Sequence, residues 1–374
     1  MSLTAAALRR VAVAVQAAAA YGVAAVLAWQ AGWPWPLALL AGAVVVLTVF
    51  CASIALAFAA TLGGFRVHAH DRPTPPPGPP RPSLGLAGAL ACYLHECRAV
   101  FRMFNWLQPF RSRLQFTAPA AGSTATVAAP PAPAASTSAS TSASALGPSA
   151  ASATSASAPS SGRDRTGPDV LLVHGYGCNH AVWLDFAPHL AAAGYRCEGI
   201  DLEPVLGDID GYASMLLDRM REMAGRGGQP PLLVCHSMGG LAARAAQVLG
   251  GEAASCTGIV TLGSPHHGCA LARFGSGHNA RQMRCGSRWL HALAAAETPA
   301  QRARIVSVFS WHDSIAGPAG TSWLDGARHI PLAGIGHVSL LRHPRAIAAT
   351  LDALAALQAP TAQPARMARP AIFI

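Results

Sequence analysis

Pro231-Leu-Leu-Val-Cys-His-Ser-Met-Gly-Gly-Leu241 is an apolar run that breaks at a serine and continues at once into helix-forming residues. A buried strand, a one-residue turn and a helix fit this string. In such a turn the serine hydroxyl projects above the end of a sheet, with a helix N-terminus beneath it. The residues two before and two after the serine must be small, because backbone segments pack closely there. Gly239 satisfies this. Cys235 stands where the pattern Gly-x-Ser-x-Gly has its first glycine; it is small enough to serve as a variant. Alone the string is weak, since small-x-Ser-x-Gly recurs by chance.

The surroundings repeat the strand–turn–helix rhythm. Strands are predicted at Val170–Val173, Cys197–Ile200, Leu232–Cys235, Gly258–Leu262, Ile305–Ser310 and Arg328–Leu332. Helices are predicted over 183–193, 211–224 and 239–249. Alternation of this kind implies an α/β fold, a mostly parallel sheet covered by helices. Chemistry-bearing residues then gather after the strands: His174-Gly-Tyr-Gly177, Asp201, Ser237, Gly263-Ser-Pro-His-His-Gly268, Trp311-His-Asp313 and Gly334-Ile-Gly-His337. Open α/β sheets place their sites at these carboxyl ends.

A serine hydroxyl needs a base, and the base needs an acid that fixes its tautomer. Ser237, Asp313 and His337 supply nucleophile, acid and base in the order Ser…Asp…His. Asp325 is the main competitor for the acid, and Asp201 precedes the serine and reads as structural. His236 is expected to point away from the partner of Ser237, His266 and His267 to line a pocket, and His312 to be a loop residue. Acyl chemistry also needs donors for an oxyanion. The backbone N–H groups of Met238 and Tyr176 are the candidates.

These segments resemble the bacterial lipase and esterase branch of the α/β-hydrolase superfamily. The resemblance rests on His174-Gly-Tyr-Gly, Cys-His-Ser-Met-Gly-Gly-Leu, Thr261-Leu-Gly-Ser-Pro-His-His-Gly268 and Gly-Ile-Gly-His-Val-Ser-Leu-Leu341, and covers about 168–357. Asp201-Leu-Glu-Pro204 and Asp210-Gly-Tyr212 add a likeness to membrane-anchored members, some of them labelled permeases. It implies a compact α/β-hydrolase fold lacking the first two strands of the full version, and supports Ser237, Asp313, His337, Tyr176 and Met238 in the roles above. The apolar residues of the insertion 268–303, such as Leu271, Phe274 and Trp289, fit a lid, a wall of an acyl pocket or ordinary helix packing.

The N-terminal part is of another kind. Val11–Trp29 and Pro36–Leu62 carry no charge and are each long enough to cross a bilayer, which takes about 20 apolar residues. Trp29, Trp33 and Trp35 sit where headgroups would be. Arg9 and Arg10 before the first run, and Arg66, Arg72 and Arg81 after the second, put both ends on the cytoplasmic side by the positive-inside rule. A cleaved signal sequence also begins with such an arginine pair, but the second run favours a two-helix anchor. Residues 84–116 mix aromatics and arginines at helical spacing, as an interfacial helix does, or a helix packed on the folded domain. Residues 73–82 are proline-rich, and 117–167 are nearly all Ala, Ser, Thr, Pro and Gly, a composition that cannot bury a core.

The expected organisation is therefore a hairpin (1–66), a juxtamembrane helical segment (67–116), a linker (117–167), a hydrolase domain (168–360) and a tail (361–374). All 27 basic residues are arginine. Residues 1–165 carry 11 Arg against 3 acids, and 166–374 carry 16 against 14, so the folded domain is nearly neutral. That argues against nucleic acid as a partner and for an anionic membrane surface beside the hairpin. Nine cysteines without regular spacing give no disulfide framework. Cys92, His95 and Cys97 read as one face of an amphipathic helix rather than a metal site. The expectation is a membrane-anchored carboxylic ester hydrolase at the bacterial inner membrane, acting on lipid-like or short-chain esters through an acyl-enzyme, with no cofactor and no metal. A thioesterase or acyltransferase would use the same residues. The rival of another class is a transport or scaffolding protein with an inert hydrolase-like domain.

Overall fold

The computed structural model describes residues 4–62, 81–113, 169–251 and 256–359, which belong to one compact unit. The expected linker 117–167, the tail 361–374 and most of the proline-rich run 73–82 lie outside the described residues.

Two long helices open the chain. In α1 (Ala5–Gln30) the Thr4 hydroxyl caps the first turn, and α2 (Trp35–Leu62) follows after a four-residue connection. Both are long and apolar enough to cross a membrane. Where they touch, a Cβ on Gly42 would run into the carbonyl oxygen of Ala20, so only glycine allows the approach. Most of their apolar side chains face outward; Val49 is 65% and Leu56 69% exposed.

Next come α3 (Leu86–Arg102), a π-helical turn (Met103–Leu107) and α4 (Gln108–Phe110). The hydrogen-bond ladder slips just before Pro109, whose nitrogen has no proton to donate to Asn105. One face of α3 buries Cys92, Glu96, Cys97 and Ala99; the other leaves Leu86, Leu90, Leu94 and Phe101 exposed. The Tyr93 hydroxyl donates to the Cys51 carbonyl at 2.8 Å, and Phe101 meets Phe50 edge-on, so α3 lies along α2.

The remaining residues form a six-stranded sheet. Its strands are β1 (Val170–Val173), β2 (Cys197–Ile200), β3 (Leu232–His236), β4 (Gly258–Leu262), β5 (Ile305–Ser310) and β6 (Arg328–Leu332). The order is β2-β1-β3-β4-β5-β6 and every pairing is parallel. These are the strands expected from the sequence, with β3 one residue longer. Strand order reverses between β1 and β3, so the Ser237 turn sits at the topological switch point.

The helices around the sheet are α5 (Ala187–Ala192), α6 (Ile209–Gly227), α7 (Met238–Gly250), α8 (Gly277–Gln282), α9 (Arg288–Ala296), α10 (Pro299–Ala303) and α11 (Pro344–Gln358). Asp208 caps α6 by accepting from the Gly211 N–H at 2.7 Å, and Gly228 ends it at φ +70°. The helix expected over 183–193 is instead a 3-10 turn, His180–Trp183, followed by the short α5. Pro188 explains the break: it has no N–H for the carbonyl four residues back, so it is tolerated only in a first turn.

Alternation along the buried strands splits the core in two. Val170, Leu172, Leu232 and Val234 face a cluster with Trp183, Phe186 and α11. Leu171, Val173, Leu233 and Cys235 face one with α6, α7 and α9. The Arg244 guanidinium holds the Glu297 carboxylate by two bonds of 2.6 Å, both side chains 1% exposed, and so locks the end of α9 to α7.

Candidate active site

Ser237 follows β3 directly and is followed directly by α7. Its backbone sits at φ 55°, ψ −125°, and among the described residues it is the only non-glycine with positive φ. Such a conformation persists only where the surroundings enforce it. Here they do: a Cβ on Gly239 would lie 2.6 Å from the Val173 carbonyl oxygen and 2.7 Å from that of His174, and one on Gly240 would strike Ser264. The Ser237 N–H donates to the Leu262 carbonyl at 2.9 Å, tying the turn to β4. Cys235 is fully buried among α6 and α7 residues, which is why a small side chain serves where the usual pattern has glycine. Burial pushes its thiol well above the ordinary range, so it is not a rival nucleophile.

The loop after β5 presents Asp313, and the loop after β6 presents His337. His337 Nδ1 lies 2.9 Å from Asp313 Oδ2, and both residues are buried. The other Asp313 oxygen accepts the Ile315 and Ala316 N–H groups at 2.8 and 2.6 Å, so the carboxylate is held from both sides. Gly263, at φ +56°, lets the pair form, since a Cβ there would lie 2.9 Å from Asp313 Oδ2. Burial alone would lower the His337 pKa; the charge and hydrogen bond of Asp313, with Glu96 behind them, hold it above the ordinary imidazole value. No hydrogen bond joins Ser237 Oγ to His337 among the described residues. Such contacts often tighten only when substrate is bound.

His174-Gly-Tyr-Gly177 closes the site on the β1 side. A Cβ on Gly175 would lie 2.8 Å from Ser237 Cβ, so the loop passes directly beside the serine. His174 steadies it: Nδ1–H donates to the Gly175 carbonyl at 2.9 Å and Nε2 accepts the Leu202 N–H at 2.9 Å. The Met238 and Tyr176 N–H groups donate to no protein acceptor among the described residues. The Tyr176 hydroxyl donates to the Ser276 carbonyl at 2.8 Å and accepts the Ser276 N–H at 3.0 Å, joining this loop to the insertion.

The structure thus brings Ser237, Asp313 and His337, and the backbone of Tyr176 and Met238, to one end of the sheet. Other expected residues fall elsewhere. Asp325 is exposed. Asp201 accepts from the His180 backbone at 2.6 Å and pairs with its ring at 2.9 Å beside the edge strand β2. His266 is buried against Arg244 and Thr261, and His312 Nδ1 accepts the Gly334 N–H at 3.1 Å. His236 departs from expectation: its ring lies 4.5 Å from that of His337, and its Nε2–H donates to the His337 carbonyl at 3.2 Å. Strand periodicity explains this, because His236 follows Cys235 onto the opposite face of the sheet, the one covered by the loop from β6. In the insertion, Met283, Leu290 and Leu293 pack into the α6–α7 core, whereas Phe274 is 69% exposed. No group of three or more His, Cys, Asp or Glu could hold a metal among the described residues, and Cys92 and Cys97 are free thiols.

Two contributors were not foreseen, and both come from the N-terminal part. Arg9 Nη2 donates to the Gly177 carbonyl at 3.0 Å while its guanidinium lies over Phe104. Arg10 Nε donates to the Pro109 carbonyl at 2.8 Å. Arg9, read as a membrane flank, therefore also contacts the sheet domain, whereas Arg10 ties α1 to α4. Glu96 of α3 is fully buried beside the His337 loop. The signal for it was present: it is the one acid among residues 81–113.

Comparison with known proteins gives a match to the model of the alpha/beta hydrolase family over residues 170–373. No curated protein matches by sequence. Among solved structures, a mature lipase of Bacillus licheniformis is similar at 19% identity and a TM-score of 0.46, covering 53% of this chain and 96% of its own. Lipase B of Aspergillus fumigatus is similar at 14% identity and a TM-score of 0.44, covering 51% and 53%. A monoacylglycerol lipase of Paleococcus ferrophilus is similar at 15% identity and a TM-score of 0.39, covering 51% and 96%.

Proposed function

Because this chain belongs to the alpha/beta hydrolase family, we propose that it is a serine hydrolase that cleaves carboxylic esters through an acyl-enzyme. The observation that carries this reading is the 2.9 Å contact between Asp313 and His337, both brought to the same end of the sheet as the strained Ser237 turn. Asp313 keeps a proton on Nδ1 of His337 and leaves Nε2 free to accept. Ser237 Oγ attacks the ester carbonyl carbon as Nε2 takes its proton. The carbonyl oxygen becomes an oxyanion between the N–H groups of Met238 and Tyr176, each worth about 3 kcal/mol of transition-state stabilisation. Collapse expels the alcohol, which leaves with the proton from Nε2. Water then attacks the acyl-enzyme, His337 takes a water proton and returns it to Ser237, and the acid departs. None of these steps calls on a cofactor.

The hairpin is the membrane anchor in this reading, and the hydrolase domain stands on the cytoplasmic side of an inner membrane. The anchor is supported by the length of α1 and α2 and the outward direction of their apolar side chains, which water would not tolerate; the side assigned to the domain follows only from the flanking arginines. The ends of the hairpin touch the loops around Ser237: Arg9 bonds Gly177, and Thr61 packs on Gly317. A substrate that gathers at a membrane, a lipid-like ester, fits this arrangement.

Labelling of the membrane-bound full chain by a fluorophosphonate tests the chemistry. Ser237→Ala is expected to abolish it; a wild type that does not label would leave an inert hydrolase-like domain. Reporter fusions after residue 120 test the topology, and an exported reporter there would reverse the cytoplasmic assignment.

A further inference from the structure

A carboxylate on a helix of apolar and basic residues is unfavourable in a core unless donors surround it. Glu96 is 0% exposed, and its oxygens are satisfied by one place in the fold. Oε1 accepts the Ser314 hydroxyl at 2.7 Å and the Val338 N–H at 2.9 Å; Oε2 accepts the Ser339 N–H at 2.9 Å. Ser314 follows the candidate acid, and Val338 and Ser339 follow the candidate base. The Ser314 oxygen in turn accepts the His337 N–H at 3.3 Å. Gly336 is the counterpart of this contact, since a Cβ there would collide with the Glu96 carboxylate. Every one of these partners lies more than 200 residues away in sequence.

We propose that Glu96 is a positioning residue for His337: a carboxylate delivered by the helix that follows the hairpin, which clamps the Asp313 and His337 loops together and so completes the site from outside the sheet domain. This rests on the serine-hydrolase reading. Two consequences follow for the proposed base. Its imidazole is held in one place relative to Ser237, and a second negative charge beyond Asp313 favours its protonated form. The titratable groups around it are Asp313 after β5, His236 at the end of β3, and Glu96 and Cys92 on α3. Burial drives the His236 pKa well below the ordinary imidazole value and, before any nearby charge, pushes Cys92 up to about 12.

The test is Glu96→Gln in the full chain, solubilised in detergent, read as the rate constant of fluorophosphonate labelling across pH. A rate constant reports only the folded molecules. The plateau value is expected to fall on the order of 10- to 100-fold, the effect of a misplaced catalytic group. The acid limb is expected to move to lower pH, because the imidazolium has lost a stabilising charge. An acid limb that stays where it is in the wild type, whatever the plateau, overturns the proposal and leaves Glu96 a structural strut. If Glu96→Gln yields no folded protein, Ser314→Ala takes its place: a plateau lowered about tenfold with unchanged KM for an ester supports the clamp, and a wild-type plateau overturns it. Labelling of the wild type, lost in Ser237→Ala, is the control. Its failure removes the serine-hydrolase reading, whereas an unmoved limb beside a labelled wild type removes the clamp alone.

Discussion

The Ser237 turn and the His337 loop are held in opposite ways. The turn is built from its own neighbourhood: β3 enters, α7 leaves, and Gly239 and Gly240 admit the β1 and β4 ends against it. Its constraints are steric and backbone-borne. The loop after β6 has little regular structure of its own. Side chains hold it, namely Asp313 from the β5 loop, His236 from beneath and Glu96 from a helix outside the sheet. A backbone-built element can be read from a short string of residues. The distant side-chain contacts that hold a loop in place cannot.

That contrast predicts where substitutions bite hardest. Asp313→Asn leaves the shape of the His337 loop intact but lets an amide donate to Nδ1, which puts the imidazole proton on the wrong nitrogen. A fall in kcat of about 10³- to 10⁴-fold is expected, with the acid limb of kcat/KM moving down. The sign follows from His337 being held above the ordinary imidazole value largely by Asp313. The base works only when neutral, so the wild-type limb lies above about 6.5 and falls when that charge is removed. Asp325→Asn, at an exposed position, is expected to change kcat by less than about twofold. Equal losses in the two variants would mean that the buried pair is not the one that matters.

The same contrast explains what was legible. β1, β3, β4 and β5 read as apolar runs bounded by turn residues, because burial on both faces of a parallel sheet imposes that pattern; the edge strands β2 and β6 are only partly buried and carry it weakly. Ser237, Asp313 and His337 stand out as candidates because each follows one of those strands. What failed to show was side-chain direction across the sheet and contact over long separation. His236, expected to turn away, instead lies beside His337 with its ring tilted against it, a consequence of period two that depends on which face the β6 loop covers. Glu96 and Arg9 reach the site over more than 160 residues, and no local pattern carries such pairings. The single helix expected over 183–193 is divided at Pro188 into a 3-10 turn and α5.

Gly239→Ala probes the backbone-built side. Its Cβ would meet two carbonyl oxygens of the β1 end, which cannot swing aside as a side chain would. A loss of about 1–3 kcal/mol is expected, or about 2–4 °C in Tm for each kcal/mol in a domain of this size. A calorimetric scan of the detergent-solubilised chain checks it. Because the His174 carbonyl leads into the Gly175–Tyr176 segment, kcat should fall with stability. An unchanged Tm would mean that the turn yields more easily than its strained φ suggests.

Tyr176→Phe tests whether the second oxyanion donor belongs to the backbone-built side or to the side-chain-built one. The ring hydroxyl makes two bonds, both to Ser276, and the residue is half-buried. Losing them should cost about 1 kcal/mol of stability, the usual net worth of such bonds at a partly solvated site. The N–H proposed as the oxyanion donor is set instead by Gly175 pressed against Ser237 and by His174 bonded to Leu202. The expected kcat is therefore within about threefold of wild type, an effect below 1 kcal/mol. A loss of a hundredfold would place Tyr176 with His337: a catalytic position held by a side chain reaching across the fold, with the insertion as its support.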